Sequence, residues 1–171
     1  MFKSLSLIIS KRKALKNNKF KRKSLGFDKI QKVGVILNDK NLDSSEVDKF
    51  IQRFKEEGIS VEVLCYKTKK SSSPKLKSKF ISFQKKDIKW TGKLLNFKLK
   101  KFIRTDFDYL FSIVDNSSLA LDAVLAHSNA KCRVGRFEDN RSDLYELMVC
   151  NESNSIKDLS QQMLHYTSKI K

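Results

Sequence analysis

The sequence predicts an α/β fold: a three-layer sandwich with a mainly parallel, Rossmann-like sheet, preceded by a basic N-terminal arm or helix. Short β-rich apolar runs alternate with segments in which apolar residues recur at helical spacing. Tight connections between such elements are typical of parallel strands joined by right-handed crossovers. We therefore expect a basic arm at residues 1–31 and a single α/β domain at residues 32–171, with a lysine-rich insertion at about residues 67–101.

The first strand–helix–strand unit follows the arm directly. Residues 32–37 (KVGVIL) form an apolar run that is typical of a strand buried on both faces. A helix then begins near Asp43 and Glu46, which have the spacing of a capping box, and it ends at Gly58. Residues 60–67 (SVEVLCYK) predict the second strand. The inward face of the helix contains Val47, Phe50, Ile51 and Phe54.

The second half of the chain repeats this pattern. Residues 107–115, 131–135 and 144–150 predict strands, and a helix capped by Asn116 or Ser117 joins the first two. Leu121, Val124 and Leu125 are expected to face inward on that helix. A last helix with capping-box spacing at its start carries an apolar stripe of Ile156, Leu159, Met163, Tyr166 and Ile170.

The lysine-rich insertion gives weaker signals. It begins with a Ser/Pro-rich stretch that is typical of a loop. Residues 79–83 (KFISF) predict a short strand, and the part that follows Trp90-Thr91-Gly92 predicts a helix.

No catalytic or cofactor motif appears in the sequence. The loop after the first strand lacks the glycine-rich patterns that let a backbone wrap a pyrophosphate, so we expect no nucleotide cofactor. His127 and His165 lie on predicted helices without partners at metal-ligand spacing, and we expect no metal site. Three widely spaced cysteines argue against a disulfide framework, and Cys65 and Cys150 lie in apolar runs that predict burial.

The sequence has one candidate small-anion site, where the strand at 107–115 ends and the next helix begins. There the helix N-terminal amides and two hydroxyls could hold a small anion, while plain N-capping explains the same residues. The residues concerned are Asn116, Ser117 and Ser118.

The positive charge of the protein is concentrated in two segments. The formal net charge is +17. Residues 1–32 contain 11 Lys/Arg against one acid, and residues 67–101 contain 13 against one, while the remaining residues are slightly acidic. Such a concentration indicates a polyanionic or anionic partner that supplies the counter-charge.

RNA is the partner that this composition favours. Phe20, Phe83 and Trp90 interleave with the cations, as expected where bases stack. Lysine outnumbers arginine, which suits contact with the phosphate backbone of a structured RNA such as ribosomal RNA. The predicted nucleic-acid-binding residues are Lys11, Arg12, Lys13, Lys16, Lys19, Lys21, Arg22, Lys23, Lys67, Lys69, Lys70, Lys75, Lys77, Lys79, Lys85, Lys86 and Trp90.

An anionic membrane surface is the alternative partner. Phe2, Leu5 and Ile9 would form the apolar face of a short helix, with the cations from Lys11 onward against lipid headgroups. The apolar run at the N-terminus precedes its cations, opposite to the order in a secretory signal, so we expect a cytoplasmic protein.

Two resemblances accompany these residue patterns. KVGVIL, DIKWTGKL and FDYLFSIVDNSSLALDAVLAHSNAKCRVGR together resemble an uncharacterised family of small basic bacterial α/β proteins, which implies the fold. Residues 107–136 are also similar to the first domain of heptosyltransferase-like sugar transferases. That similarity implies shared architecture and leaves a degenerate sugar-transferase-like enzyme as a third hypothesis, although the chain has no room for the second, nucleotide-sugar-binding domain of those enzymes.

Overall fold

The computed structural model of the protein describes residues 2–39, 45–68, 80–114, 118–150, 153 and 155–171. A six-stranded, all-parallel sheet is flanked by helices on both faces, which confirms the predicted α/β class. The strands are β1 (Lys32–Asn38), β2 (Ser60–Tyr66), β3 (Ile81–Phe83), β4 (Tyr109–Ile113), β5 (Cys132–Arg136) and β6 (Leu147–Val149). The helices are α1 (Phe2–Asn18), α2 (Ser45–Glu56), α3 (Phe97–Arg104), α4 (Leu119–His127) and α5 (Ile156–Thr167).

The strand order in the sheet is β3-β2-β1-β4-β5-β6. The chain therefore starts at the centre, builds outward through β2 and β3, and then returns to build the other half from β4. This is the strand order of doubly wound Rossmann domains, in which the direction of winding reverses between the two central strands. Val33 pairs with Tyr109 and Leu37 with Ile113 at that junction.

Alternation along the central strand divides the core into two clusters. Val33, Val35 and Leu37 pack with α2 and α5, whereas Ile36 faces α3 and α4. Successive side chains of a strand point to opposite faces, so an uninterrupted apolar run supplies both clusters at once. The predicted inward face of α2 is confirmed, because Val47, Phe50, Ile51 and Phe54 are all buried.

Two details of the predicted helices are wrong. The N-cap of α4 is Ser118, whose extended backbone lets its hydroxyl accept from Leu121 N at 3.2 Å, rather than Asn116 or Ser117. In α5, Tyr166 is 51% exposed, and the inward position is taken by Thr167, whose hydroxyl donates to Met163 O. The predicted cap of α2 at Asp43 lies outside the described residues.

The cysteine prediction is half confirmed. Cys65 lies in β2 and is buried, but Cys150 is exposed because it directly follows β6, the strand at one edge of the sheet. An apolar run at an edge strand is covered less completely than one at the centre.

Helix α4 is buried on every side. Each residue from Ala120 to Ala126 is buried, although a helix at the surface would expose one face. The sheet covers one side, and α1 lies across the other, contributing Ala14 to the shared core with Leu7 and Leu15 packed beside it. The predicted basic arm is thus largely a helix that completes the core.

Asp108 joins the starts of three strands. Its Oδ2 accepts from the backbone N–H groups of Gln31 at 2.8 Å and Lys32 at 3.0 Å, and Lys131 Nζ lies 2.7 Å from its Oδ1. Burial acts to raise the pKa of this carboxyl, but the three hydrogen bonds and the lysine charge outweigh burial, and the pKa is lowered.

We expect the substitution Asp108→Asn to lower the free energy of unfolding by about 2 kcal/mol at pH 7, because an amide loses the ion pair and one acceptor oxygen. The folded-state pKa of Asp108 lies below the unfolded value of about 3.9. The stabilisation is therefore present above that value and is lost as the pH falls through the folded pKa. Urea unfolding should show a gap between wild type and variant at pH 7 that narrows towards pH 3. Asp106→Asn, at an exposed neighbour, is the control, and an unchanged gap at pH 3 would contradict this role.

Candidate nucleic-acid interface

Helix α1 presents cations to solvent along its second half. Its inner side packs on the core through Leu7, Ala14 and Leu15, which leaves its other side to solvent. Arg12, Lys13 and Lys16 are exposed. Among the residues that the structure describes, none of these three side chains forms an ion pair, so their charges are available to an external anion.

Two predicted cations of the arm are instead used inside the protein. Lys11 Nζ lies 3.3 Å from Asp143 Oδ1, and its side chain is only 15% exposed. The Arg22 guanidinium donates to Ala130 O and, at 2.9 Å, to Ser128 O. Burial and the nearby charge of Arg133 lower the pKa of Arg22 to about 10, so the group still carries its charge at neutral pH.

Arg22 belongs to a partly buried charge cluster that attaches the end of the arm to the sheet. Its Nε lies 3.7 Å from Glu146 Oε1. The same carboxylate accepts from Arg133 Nη2 at 2.6 Å and Nε at 3.0 Å. The backbone N–H of Lys23 adds a hydrogen bond to Lys131 O. This geometry makes Arg22 a structural residue.

The other predicted cations of the arm lie around these anchors. Lys19 and Lys23 are exposed, while Lys21 is half-buried. Lys67 is half-buried at the end of β2, and Lys85 and Lys86 are exposed in a short turn of 3₁₀ helix. Lys69, Lys70, Lys75, Lys77 and Lys79 lie outside the described residues.

The fold brings the two basic segments together. Gly92 has a φ of 82° and packs so closely on α1 that a Cβ there would lie 2.0 Å from Ser10 Oγ. An Ile88–Leu94 bridge closes this loop, and both residues enter the core cluster beneath α1, α3 and α4. Residues 85–93 therefore flank α1, although about 80 residues of sequence separate them from it.

Helix α3 adds cations that the sequence interpretation did not single out. Its Asn96 cap accepts from Leu99 N at 3.1 Å, and Leu99, Phe102 and Ile103 are buried. That spacing turns four cations of the helix away from the core, three of them fully to solvent. Counting helical turns from the cap at Asn96 would have identified these cations from the sequence. They are Lys98, Lys100, Lys101 and Arg104.

Charge differs sharply between the two helical layers. Helix α1 contains five Lys/Arg and no acid, and α3 contains four and no acid. On the opposite layer, α2 contains three of each sign and α5 one of each, so both are neutral. We call the exposed surface of α1, α3 and residues 85–93 the cationic face.

The aromatic residues predicted to stack on bases have three different outcomes. Trp90 is 57% exposed within the loop that touches α1. Phe83 is 1% exposed, because it ends β3 and packs against Tyr66, so the prediction for Phe83 is wrong. The side chain of Phe20 lies outside the described part of the chain. Phe97, which the sequence interpretation passed over, is 78% exposed at the start of α3.

Of the candidate small-anion site, the structure describes Ser118, which follows β4 at the edge of the sheet where this strand order places ligands. Ser118 Oγ accepts from Leu121 N, which is plain capping, and Asn116 and Ser117 are not among the described residues. At the end of the neighbouring strand β1, the Asp39 carboxylate is buried and accepts from Thr68 N at 2.8 Å and Thr68 Oγ1 at 3.1 Å. A carboxylate at this position opposes the binding of an anion.

None of the described helices is both long and apolar enough to cross a membrane.

The fold and its charged surface define a class of protein: a doubly wound α/β domain with one cationic helical face. Within that class, the chain belongs to a family of unknown function (DUF6913), whose model matches residues 3–170. The predicted resemblance to an uncharacterised family is thereby confirmed. A search among curated proteins finds no match to this sequence.

We expect the substitution Arg22→Met to lower the free energy of unfolding by about 2 kcal/mol, because two carbonyl oxygens and part of the Glu146 charge lose their buried donor. Urea unfolding at pH 7 measures this loss. If Arg22 is structural, the salt dependence of polyanion binding should be unchanged in the folded variant. A variant of wild-type stability with weaker polyanion binding would contradict this assignment.

Proposed function

We propose that this protein is a non-enzymatic cytoplasmic RNA-binding protein whose cationic face contacts the phosphate backbone. The observation that carries the proposal is the segregation of charge between the two helical layers. Nine basic residues and no acid lie on α1 and α3, against a balance of signs on α2 and α5. A charge distribution set only by the need for solubility would have no reason to favour one layer.

The geometry supports backbone contact rather than the reading of base sequence. The exposed cations of α1 and of residues 85–93 are lysines, with Arg12 as the exception. Lysine binds phosphate as a point charge, while bidentate recognition of guanine is characteristic of arginine. A structured RNA such as ribosomal RNA offers phosphates over an area that suits a face built from two helices and a loop. Unpaired Cys65 and Cys132 are consistent with a reducing compartment.

The RNA proposal is tested with a matched pair of lysine variants. Lys13→Gln/Lys16→Gln removes two charges from the cationic face, and Lys55→Gln/Lys157→Gln removes two exposed charges from the opposite layer. Each phosphate contact with a single strand contributes about −0.7 to the slope of log affinity against log salt concentration. The first variant should therefore have a slope shallower by about 1.4 in an RNA titration, and the second should bind as wild type does.

Co-purified nucleic acid that leaves in a high-salt wash would support the proposal in the native protein. A flat salt slope, or equal effects of the two lysine variants, would refute it. Thermal stabilisation by a sugar nucleotide would instead favour the sugar-transferase hypothesis.

An anionic membrane surface is the second candidate, and exposed apolar residues on α1 favour it. Leu5 and Ile9 lie one turn apart, and each is more than half exposed, next to the exposed cations that follow. They form a small apolar area, which would give reversible binding. Flotation with anionic but not neutral vesicles, lost in Leu5→Ser/Ile9→Ser, would support it. Point substitutions are preferable to removing residues 1–24, because α1 covers α4.

A further inference from the structure

Phe97 is the most unusual side chain on the cationic face. It is 78% exposed, although the burial of a phenyl ring ordinarily stabilises a protein. Its position is fixed by the start of α3, where the Asn96 side chain caps the helix and also donates to Ser82 O of β3 at 3.4 Å. The ring is therefore held outward by a rigid element of the fold.

The ring borders a shallow depression that is lined by cations. This depression has a volume of about 340 Å³, and Phe97, Lys100, Lys101, Arg104 and Thr105 line it. None of the described residues that line it is acidic. Phe97, Lys101 and Arg104 recur at intervals of four and three residues, so they occupy one stripe on the outer side of α3. Leu99, Phe102 and Ile103 hold the opposite side in the core.

An exposed aromatic ring beside several cations matches the chemistry of an unpaired nucleotide. A base stacks on the ring, and the phosphates on either side of that base meet the lysine and arginine groups. Bases inside a duplex are already stacked on one another, and their faces cannot reach a protein ring. An apolar protein partner would cover Phe97 equally well but would leave the cations unpaired.

We infer that the Phe97 stripe of α3 is a binding site for single-stranded RNA, in which one base stacks on Phe97 and the adjoining phosphates contact Lys101 and Arg104. This inference rests on the proposed RNA-binding function and adds to it the strandedness of the ligand. α1 and α3 both pack on α4, and residues 85–93 flank α1, so further nucleotides can follow the cationic face past Trp90.

The test compares Phe97→Ala with Tyr166→Ala, which removes an exposed aromatic ring from the opposite layer. The probes are a labelled oligouridine 16-mer and an RNA duplex of the same length. Phe97→Ala should weaken binding of the oligouridine at least about fivefold, with an unchanged salt slope and unchanged duplex binding. Tyr166→Ala should bind both probes as wild type does. Because both side chains are exposed, both variants should keep the wild-type thermal midpoint.

Removing charges from the same stripe should change the binding of both probes and the salt dependence. Lys101→Gln/Arg104→Gln should weaken both probes and make the salt slope for the oligouridine shallower by about 1.4. Full oligouridine affinity in Phe97→Ala, or equal weakening of duplex and oligouridine, overturns the inference. If Lys13→Gln/Lys16→Gln still weakens binding in that case, RNA binding itself stands. If wild type binds neither probe, the proposed function fails as well.

Discussion

The burial of α4 is the constraint on which the rest of the molecule depends. This helix is buried around its whole circumference from Ala120 to Ala126, and the sheet alone cannot cover it. α1 supplies the missing cover, and polar contacts at its margins hold it in register. Asn18 donates to Ala126 O at 3.4 Å, at one end of α4, and Lys11 pairs with Asp143. The N-terminal segment, which the sequence predicts to be a basic arm, is therefore a structural part of the domain.

That cover determines where the positive charge lies. Because the inner side of α1 is apolar, Arg12, Lys13 and Lys16 lie on its outer side. The contact at Gly92 adds the lysines of residues 85–93 next to them. α3 is amphipathic for the same reason and turns its cations outward. Self-repulsion among so many like charges opposes the compact state, so an anionic partner would stabilise the protein as it binds.

The sequence predicted the elements well and the use of individual side chains less well. Apolar runs and caps are local signals, so β1, α2 and β4 were found close to their observed bounds. The roles of Arg22 and Phe83 depend on contacts with residues that are distant in the chain. The amino-acid composition does not predict these contacts. Phe97 was missed because the sequence around a single aromatic residue among lysines does not show whether its ring is buried or exposed. The cap at Asn96 shows where α3 begins and therefore which side of the helix carries Phe97.

Arginine and lysine have different roles in this protein: arginines form the interior contacts, and lysines supply most of the exposed charge. Arg22, Arg133 and Arg141 lie inside, and each guanidinium makes several contacts; Arg141, for example, pairs with Asp122 at 2.8 Å and with Glu138 at 3.1 Å. A planar, weakly hydrated guanidinium suits such sites. The outer cations are mostly lysines, whose flexible and strongly hydrated charges cost little to expose. A partner held by them would be recognised by the density of its negative charge, and any finer selection would then depend on the exposed rings of Trp90 and Phe97.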